Sequence, residues 1–378
     1  MVSGWRGPVN PDSVLWYPPR PGMTMNRRPI TSLFLLFVVL AVLPPPAPAA
    51  RLADLYTAEV VVPGRAAADR QAALQDALNE VLLRLLGSTD LLQEPAVRKL
   101  AGQAQRYVEQ YSYRRGQPEP PDAEPPLLLR VRFDGVALTR ALRAAGLPVW
   151  GQERPDVLVW LAVDDGRRRY LLSEQSRAQA ARALRQAARR RGLPLVLPLM
   201  DLEDRRQVKF ADVWGGFLEP VQQASQRYRA QVLLIGRLHR TASGGWQGRW
   251  TLVQAGAGPQ GWESRGATLQ QSVAAGLGES AELLALRYAV RAGPSDADNS
   301  GLLRVSGVET LADYARVQKY LESLSPVEAA QLRRVEGDSA EFGLRLNGAR
   351  RSLQQVIAIG RVLVPAGDGQ PGHYRLRK

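Results

Sequence analysis

The chain has 378 residues, of which 45% are apolar and 23% charged, with a formal net charge of +14 and no cysteine. That composition is globular and long enough for two or three domains. The missing thiol excludes disulfides, thiolate metal sites, cysteine nucleophiles and lipid attachment at cysteine. The two histidines, His239 and His373, lie far apart, so no histidine-rich metal centre and no cofactor is expected.

Arg27 and Arg28 precede an apolar run from Ile30 to Leu43, which Pro44 to Pro46 stop, and Ala47-Pro48-Ala49 follows as a small-x-small cleavage pattern. Residues 25–49 therefore read as a cleavable signal peptide, since about 14 apolar residues are too few to cross roughly 30 Å of hydrocarbon as a helix. Residues 1–24 do not fit this scheme and read as a disordered or non-native leader, with Met23 or Met25 as alternative starts. Export predicts a periplasmic protein with no span after cleavage. Only Lys99, Lys209, Lys319 and Lys378 are lysines, so the positive charge is almost wholly arginine. For an exported chain this points away from nucleic acid, and toward an envelope protein or an anionic envelope component as partner.

Three units follow in chain order. In residues 51–147, Leu55 to Val62 is a strand ending at Pro63-Gly64. A helix carries Leu74, Leu78, Val81, Leu82 and Leu85 on one face and stops at Gly87. A second helix is expected to place Val97, Leu100, Ala101, Ala104, Val108 and Tyr111 on one stripe. A proline-rich acidic loop spans residues 116–126, and a strand from Leu127 to Phe133 and a short helix from Val136 complete a small α+β unit.

Residues 155–293 alternate strand and helix. Val157 to Val163 is apolar throughout, Ser173 is a candidate N-cap for a helix reaching Arg191, and Val196 to Met200 is a further strand. A helix from Phe217 to Tyr228 and strands at Val232–Leu238, Trp246–Gln254 and Trp262–Ala267 come next, and a helix from Leu269 to Val290 closes the unit. This predicts an α/β domain with a mixed sheet. After a Gly/Pro/Ser/Asp linker at residues 292–300, residues 300–378 show the order βαββαβ, with a hairpin around Glu336-Gly337-Asp338, which predicts a ferredoxin-like unit.

Candidate sites each have a bland alternative. Asp164 and Asp165 follow one apolar strand, and Asp201, Glu203 and Asp204 follow the next one in sequence. If those strands are neighbours, five carboxylates could converge at the carboxyl edge of a parallel sheet, to bind Ca²⁺ or Mg²⁺ or to act as an acid/base pair. The alternative is that the strand ends turn into solvated loops, partly neutralised by Arg167 to Arg169, Arg205 and Arg206. Trp246, Trp250 and Trp262 could offer a stacking surface for a sugar or partner, or could lie under the closing helix. Arg182, Arg185 and Arg189 form a stripe suited to anionic lipid or glycan, or the solvated face of an amphipathic helix. Gly256-Ala-Gly258-Pro-Gln-Gly261 matches GxGxxG but falls between two strands, where it reads as a hairpin loop. No GxSxG, HExxH, SxxK or Walker loop is present.

Leu55-Tyr-Thr-Ala-Glu-Val60, Leu82-Leu-Arg-Leu-Leu-Gly87, Val157-Leu-Val-Trp-Leu-Ala-Val-Asp-Asp165, the run from Arg191 to Leu202 and Trp214-Gly-Gly-Phe217 occur in order. In these blocks the chain resembles the exported proteobacterial family of domain of unknown function 2066 (DUF2066). The resemblance implies a Gram-negative envelope protein and implies no activity. The leading expectation is a periplasmic, non-enzymatic binding or assembly module. The alternatives are an envelope hydrolase using the strand-end carboxylates and a soluble carrier for an anionic lipid or glycan.

Overall fold

The computed structural model describes residues 55–117, 124–291 and 300–378. The expected leader, the signal peptide, the centre of the proline-rich loop and the linker at 292–299 lie outside the described residues. Residues 50–378 form one compact unit of three regions with four core clusters, two of them on opposite faces of the central sheet.

The first region carries a three-stranded antiparallel sheet, in the order β1 (Thr57–Val61), β3 (Leu127–Phe133), β2 (Val108–Arg115). Helix α1 (Ala67–Leu86) covers one face with Leu78, Val81, Leu82 and Leu85, each fully buried and each contributing about 1.5–3 kcal/mol of transfer free energy. Gly87 ends it in the left-handed conformation, φ 71°, with its N–H on the Leu83 carbonyl. The second expected helix is shorter than its apolar stripe suggested. α2 stops at Pro95–Gly102, a single 3-10 turn follows, and residues 108–115 are strand β2. Val108, Tyr111 and Tyr113 are good strand formers, and pairing with β3 outweighs the helical spacing. Helix α3 (Gly135–Ala144) begins at Asp134, whose carboxylate caps the Ala137 amide.

The central region holds a six-stranded mixed sheet built from β4 (Val157–Asp164), β5 (Arg169–Leu171), β6 (Leu195–Val196), β7 (Val232–Arg240), β8 (Trp246–Gln254) and β9 (Gln260–Gly266). The order is β5-β4-β7-β8-β9, with β6 also on β4. β4 and β7 are parallel along their whole length, and β6 is parallel to only the first two residues of β4. Helices α4 (Gln179–Arg191) and α8 (Leu269–Tyr288) cover the face formed by Val157, Val159, Leu161 and Val163. Short helices α5 (Leu202–Gln207), α6 (Phe210–Gly215) and α7 (Leu218–Ser225) lie on the face of Leu158, Trp160 and Ala162. Helix α4 starts at Gln179, not near Ser173, because Ser173 and Ser176 bond each other in a turn.

The last region is a five-stranded sheet in the order β11 (Val327–Glu336), β12 (Ser339–Leu346), β10 (Ser300–Ser306), β14 (His373–Leu376), β13 (Leu363–Pro365). Helices α9 (Leu311–Ser323) and α10 (Arg350–Ile359) pack on one face. Thr310 and Asp313 cap α9 reciprocally. The order β-α-β-β-α-β is followed by β14, which takes the place beside β10 where a ferredoxin-like sheet would seat its last strand, and it runs parallel to β10.

The central region leaves and rejoins the chain at one point. Val149 and Val290 exchange two backbone hydrogen bonds of 2.9 Å. Arg154, 5% exposed, is buried just beyond this pair.

Candidate functional site

The five acidic residues do not come together. β6 pairs with Val157 and Leu158 only, and further along, at Ala162 to Asp164, that edge of β4 is taken by β5. The chain after β6 is therefore turned away, and Asp201, Glu203 and Asp204 pass to the other face in α5. Asp201 caps the Asp204 amide at 3.0 Å and takes a fork of two 2.9 Å bonds from Arg227. That guanidinium, aided by the amide, holds the Asp201 carboxyl down at about 2. Glu203 lies 3.3 Å from the same guanidinium. Asp204 is 1% exposed and accepts from the Met200 amide, the Tyr228 hydroxyl and Arg227. Burial, with the Asp204 bond second, raises the Tyr228 phenol. These carboxylates build a structural ion-pair network around Arg227.

Asp164 and Asp165 are engaged in the β4–β5 turn. Asp164 accepts from Arg169 at 2.8 Å and from the Gly166 amide, and both lower its pKa. Asp165 caps the Arg168 and Arg167 amides at 2.7 and 2.9 Å, which lowers its own. Among the described residues no group of three or more acidic or imidazole side chains is placed to hold a metal ion.

What faces Asp164 is basic. The neighbour of β4 is β7, and His239 stands in register with Asp164. Arg167, Arg168, Arg169, Trp214, His239 and Arg240 line a crevice of about 730 Å³ at the carboxyl ends of the two strands. Trp214 stacks on Phe210, with centroids 5.3 Å apart, and meets His239 edge-on at 6.3 Å. Arg237 fixes α6 by donating to the Trp214 carbonyl. The order of strands in space, which decides this, differs from their order in sequence.

Trp250 is fully buried beneath α8 and donates to Ser264 at 2.9 Å. It is core and offers no surface to a partner. Trp262 donates to the Gly276 carbonyl at 3.0 Å, and both Trp262 and Trp246 are half-buried against the same core.

The arginine stripe of α4 does reach a concave surface. The uncovered face of the β1–β3–β2 sheet stands opposite α4, and a groove of about 660 Å³ runs between them. Arg114 and Arg130 line the sheet wall, Arg185, Arg189 and Arg190 line the helix wall, and Arg84 of α1 joins the two by donating to the Thr57 and Arg190 carbonyls. Glu59 is engaged by Arg114 at 2.6 and 2.5 Å, and Glu80 lies between Arg84 and Arg190 at 3.5 and 3.6 Å. Arg185 donates to the Ser176 and Glu174 carbonyls. Arg130 and Arg189 have no side-chain partner among the described residues. Arg182, on the same helix, lies outside the groove and donates to the Arg177 carbonyl. The stripe was legible in the helical spacing, whereas Arg84, Arg114 and Arg130 were not, because only folding brings the two walls together.

A family model described as a domain of unknown function (DUF8605) matches residues 49–151, which include the first region. This overturns the resemblance to DUF2066, whose proposed blocks at 55–60 and 82–87 fall inside the matched span. No curated protein and no solved structure matches the chain.

Proposed function

We propose that the chain is an exported, periplasmic, non-enzymatic module of the Gram-negative envelope, and that it binds an anionic envelope component in the groove between the first sheet and α4. The observation that carries this reading is the pairing pattern in the groove, where six guanidinium groups meet and Arg130 and Arg189 remain free of carboxylates. Unpaired arginines at the mouth of a cleft attract anions and give forked donors to phosphate or carboxylate. A concave groove suits a projecting charged glycan chain better than a flat bilayer. The signal-peptide pattern at residues 25–49 supports export to a compartment that holds such ligands. In this reading the C-terminal unit is a ferredoxin-like variant enlarged by β14.

Titration with heparin, as a generic anionic glycan, tests the groove. Binding is expected to weaken with added salt, since exposed charges are screened over about 8 Å at physiological ionic strength. The double variant Arg130→Gln, Arg189→Gln is expected to bind at least about tenfold more weakly, about 1.4 kcal/mol. Equal affinity of wild type and double variant, or tighter binding to phosphatidylglycerol vesicles than to heparin, overturns the groove as a glycan site.

A further inference from the structure

The crevice at the carboxyl ends of β4 and β7 has a topology that creates ligand sites in open sheets. The connection from β4 to β6 runs through α4 on one face of the sheet. The connection from β6 to β7 runs through α5, α6 and α7 on the opposite face. β6 and β7 lie on opposite sides of β4, so the two crossovers part at its carboxyl end. Such a switch point leaves an uncovered crevice into which strand-end side chains project.

The crevice is chemically one-sided. Four guanidinium groups, Arg167, Arg168, Arg169 and Arg240, line it against a single lining carboxylate, Asp164. Asp164 is already neutralised by Arg169. Asp165, beside it, points its carboxylate at the Arg167 and Arg168 amides and so fixes the turn that carries their side chains. Arg167, Arg168 and Arg240 are exposed and form no side-chain hydrogen bond or ion pair among the described residues, although the Arg168 charge is felt by Asp165. His239 lines the crevice edge-on to Trp214, which forms an apolar wall held by Phe210 and Arg237.

We infer that this crevice is a second binding site, distinct from the groove, for a small phosphate monoester. Three guanidiniums without an ion pair suit a dianion better than a monoanion, and a phosphate ester carries about −1.5 to −2 at neutral pH. The forked donors of arginine match its oxygens. His239 supplies a further ring nitrogen in the lining. Trp214 faces the carbon side of the ester, which inorganic phosphate lacks.

The chain contains only two histidines, so imidazole NMR signals report the site directly. His373 serves as an internal reference, since its Nδ1 is bonded to Asp368 in another region. At fixed pH and ionic strength, methyl phosphate is expected to move the His239 signals saturably below about 10 mM and leave His373 unmoved. The exposed double variant Arg168→Gln, Arg240→Gln is expected to bind at least tenfold more weakly, with His373 signals unchanged as the sign of an intact fold. Three outcomes overturn the site: no saturable movement, movement retained in the double variant, or equal movement with acetate. Loss of heparin binding at the groove bears on neither result, because the two sites share no residue.

Discussion

The guanidinium of Arg154 lies over the ring of Trp150, 4.0 Å from its centroid, and its five N–H groups end on five backbone carbonyls. Nε donates to Gly151, Nη1 to Arg191 and Gly192, and Nη2 to Arg84 and Trp150. Arg84 is near the C-terminus of α1, and Arg191 ends α4. Two helix C-termini, each with unmet carbonyls and a negative dipole end, thus converge on one buried cation. Burial, with nearby Arg84 second, lowers its pKa to about 9, which leaves it charged at neutral pH.

Removing this cation strands five acceptors in the interior. Arg154→Met is expected to cost at least about 3 kcal/mol, because a buried partner left unmade costs more than the bond contributes. Arg154→Lys restores charge but only three donors and no flat face for Trp150, so it is expected to recover part of the loss. Urea unfolding at constant slope measures both. A loss below about 1 kcal/mol for the methionine variant shows that the carbonyls find water instead.

Gly276 and Gly278 separate packing from helix propensity within α8. A Cβ on Gly276 would lie 2.1 Å from the Trp250 indole, which is fully buried and has nowhere to go. A Cβ on Gly278 would meet only the end of the Arg191 side chain, at 2.7 Å. Propensity alone favours alanine by about 1 kcal/mol at either position. Gly276→Ala is instead expected to destabilise by at least about 2 kcal/mol, and Gly278→Ala to cost far less. Thermal melts of the two variants, side by side, check the order, and a reversed order contradicts the packing.

Asp201 gives a pH test with a definite sign. Its carboxyl is held at about 2, below the ordinary aspartate value of about 3.9, chiefly by Arg227. A depressed acid adds stability above its unfolded value and loses it as pH falls through the folded one. The difference in stability between wild type and Asp201→Asn is therefore expected to be steady from neutrality to about pH 5 and to vanish toward pH 2. The side chain is partly exposed, so solvent screening keeps the difference small. Denaturant midpoints measured across that range decide it, and a difference that persists at pH 2 removes Asp201 from the acid response.

Divalent ions are expected to do nothing at the strand ends. Asp165→Asn with Glu203→Gln should change stability by no more than about 0.5 kcal/mol, since Asp165 serves a turn and Glu203 the rim of an arginine pair. Ca²⁺ or Mg²⁺ should leave the melting temperature of both proteins unchanged. A rise in the wild type alone would reinstate the metal reading.

Local signals were largely legible. The stop at Gly87, the hairpin at Gly337 and strand β8 at Trp246–Gln254 follow from nearby residues alone. Errors came where a distant partner decides. Val108 to Arg115 carries a helix-like stripe and becomes a strand because β3 lies alongside. His373 to Leu376 is too short to announce itself and is drawn in between β10 and β13. The acidic pairing failed for the same reason, because strand order in space brings β7, and so His239 and Arg240, to Asp164. Half of the arginine groove was written in the spacing of α4, and the other half only in the fold.

The Val149–Val290 pair has a mechanical meaning. The chain enters and leaves the central region beside this two-bond bridge, and Arg154 and the Arg361–Asp156 ion pair tie the same region to the first and the last, so tension applied between the outer regions meets these ties before it reaches the six-stranded sheet. While the bridge holds, the sheet, the groove wall on α4 and the crevice at β4 and β7 stay unloaded. In single-molecule pulling from Leu55 and Lys378, the bridge should part before the central sheet extends, and the roughly 140 residues it encloses should then lengthen the chain in a later, separate step. A molecule held by both outer regions would thus keep the groove and the crevice in shape under load.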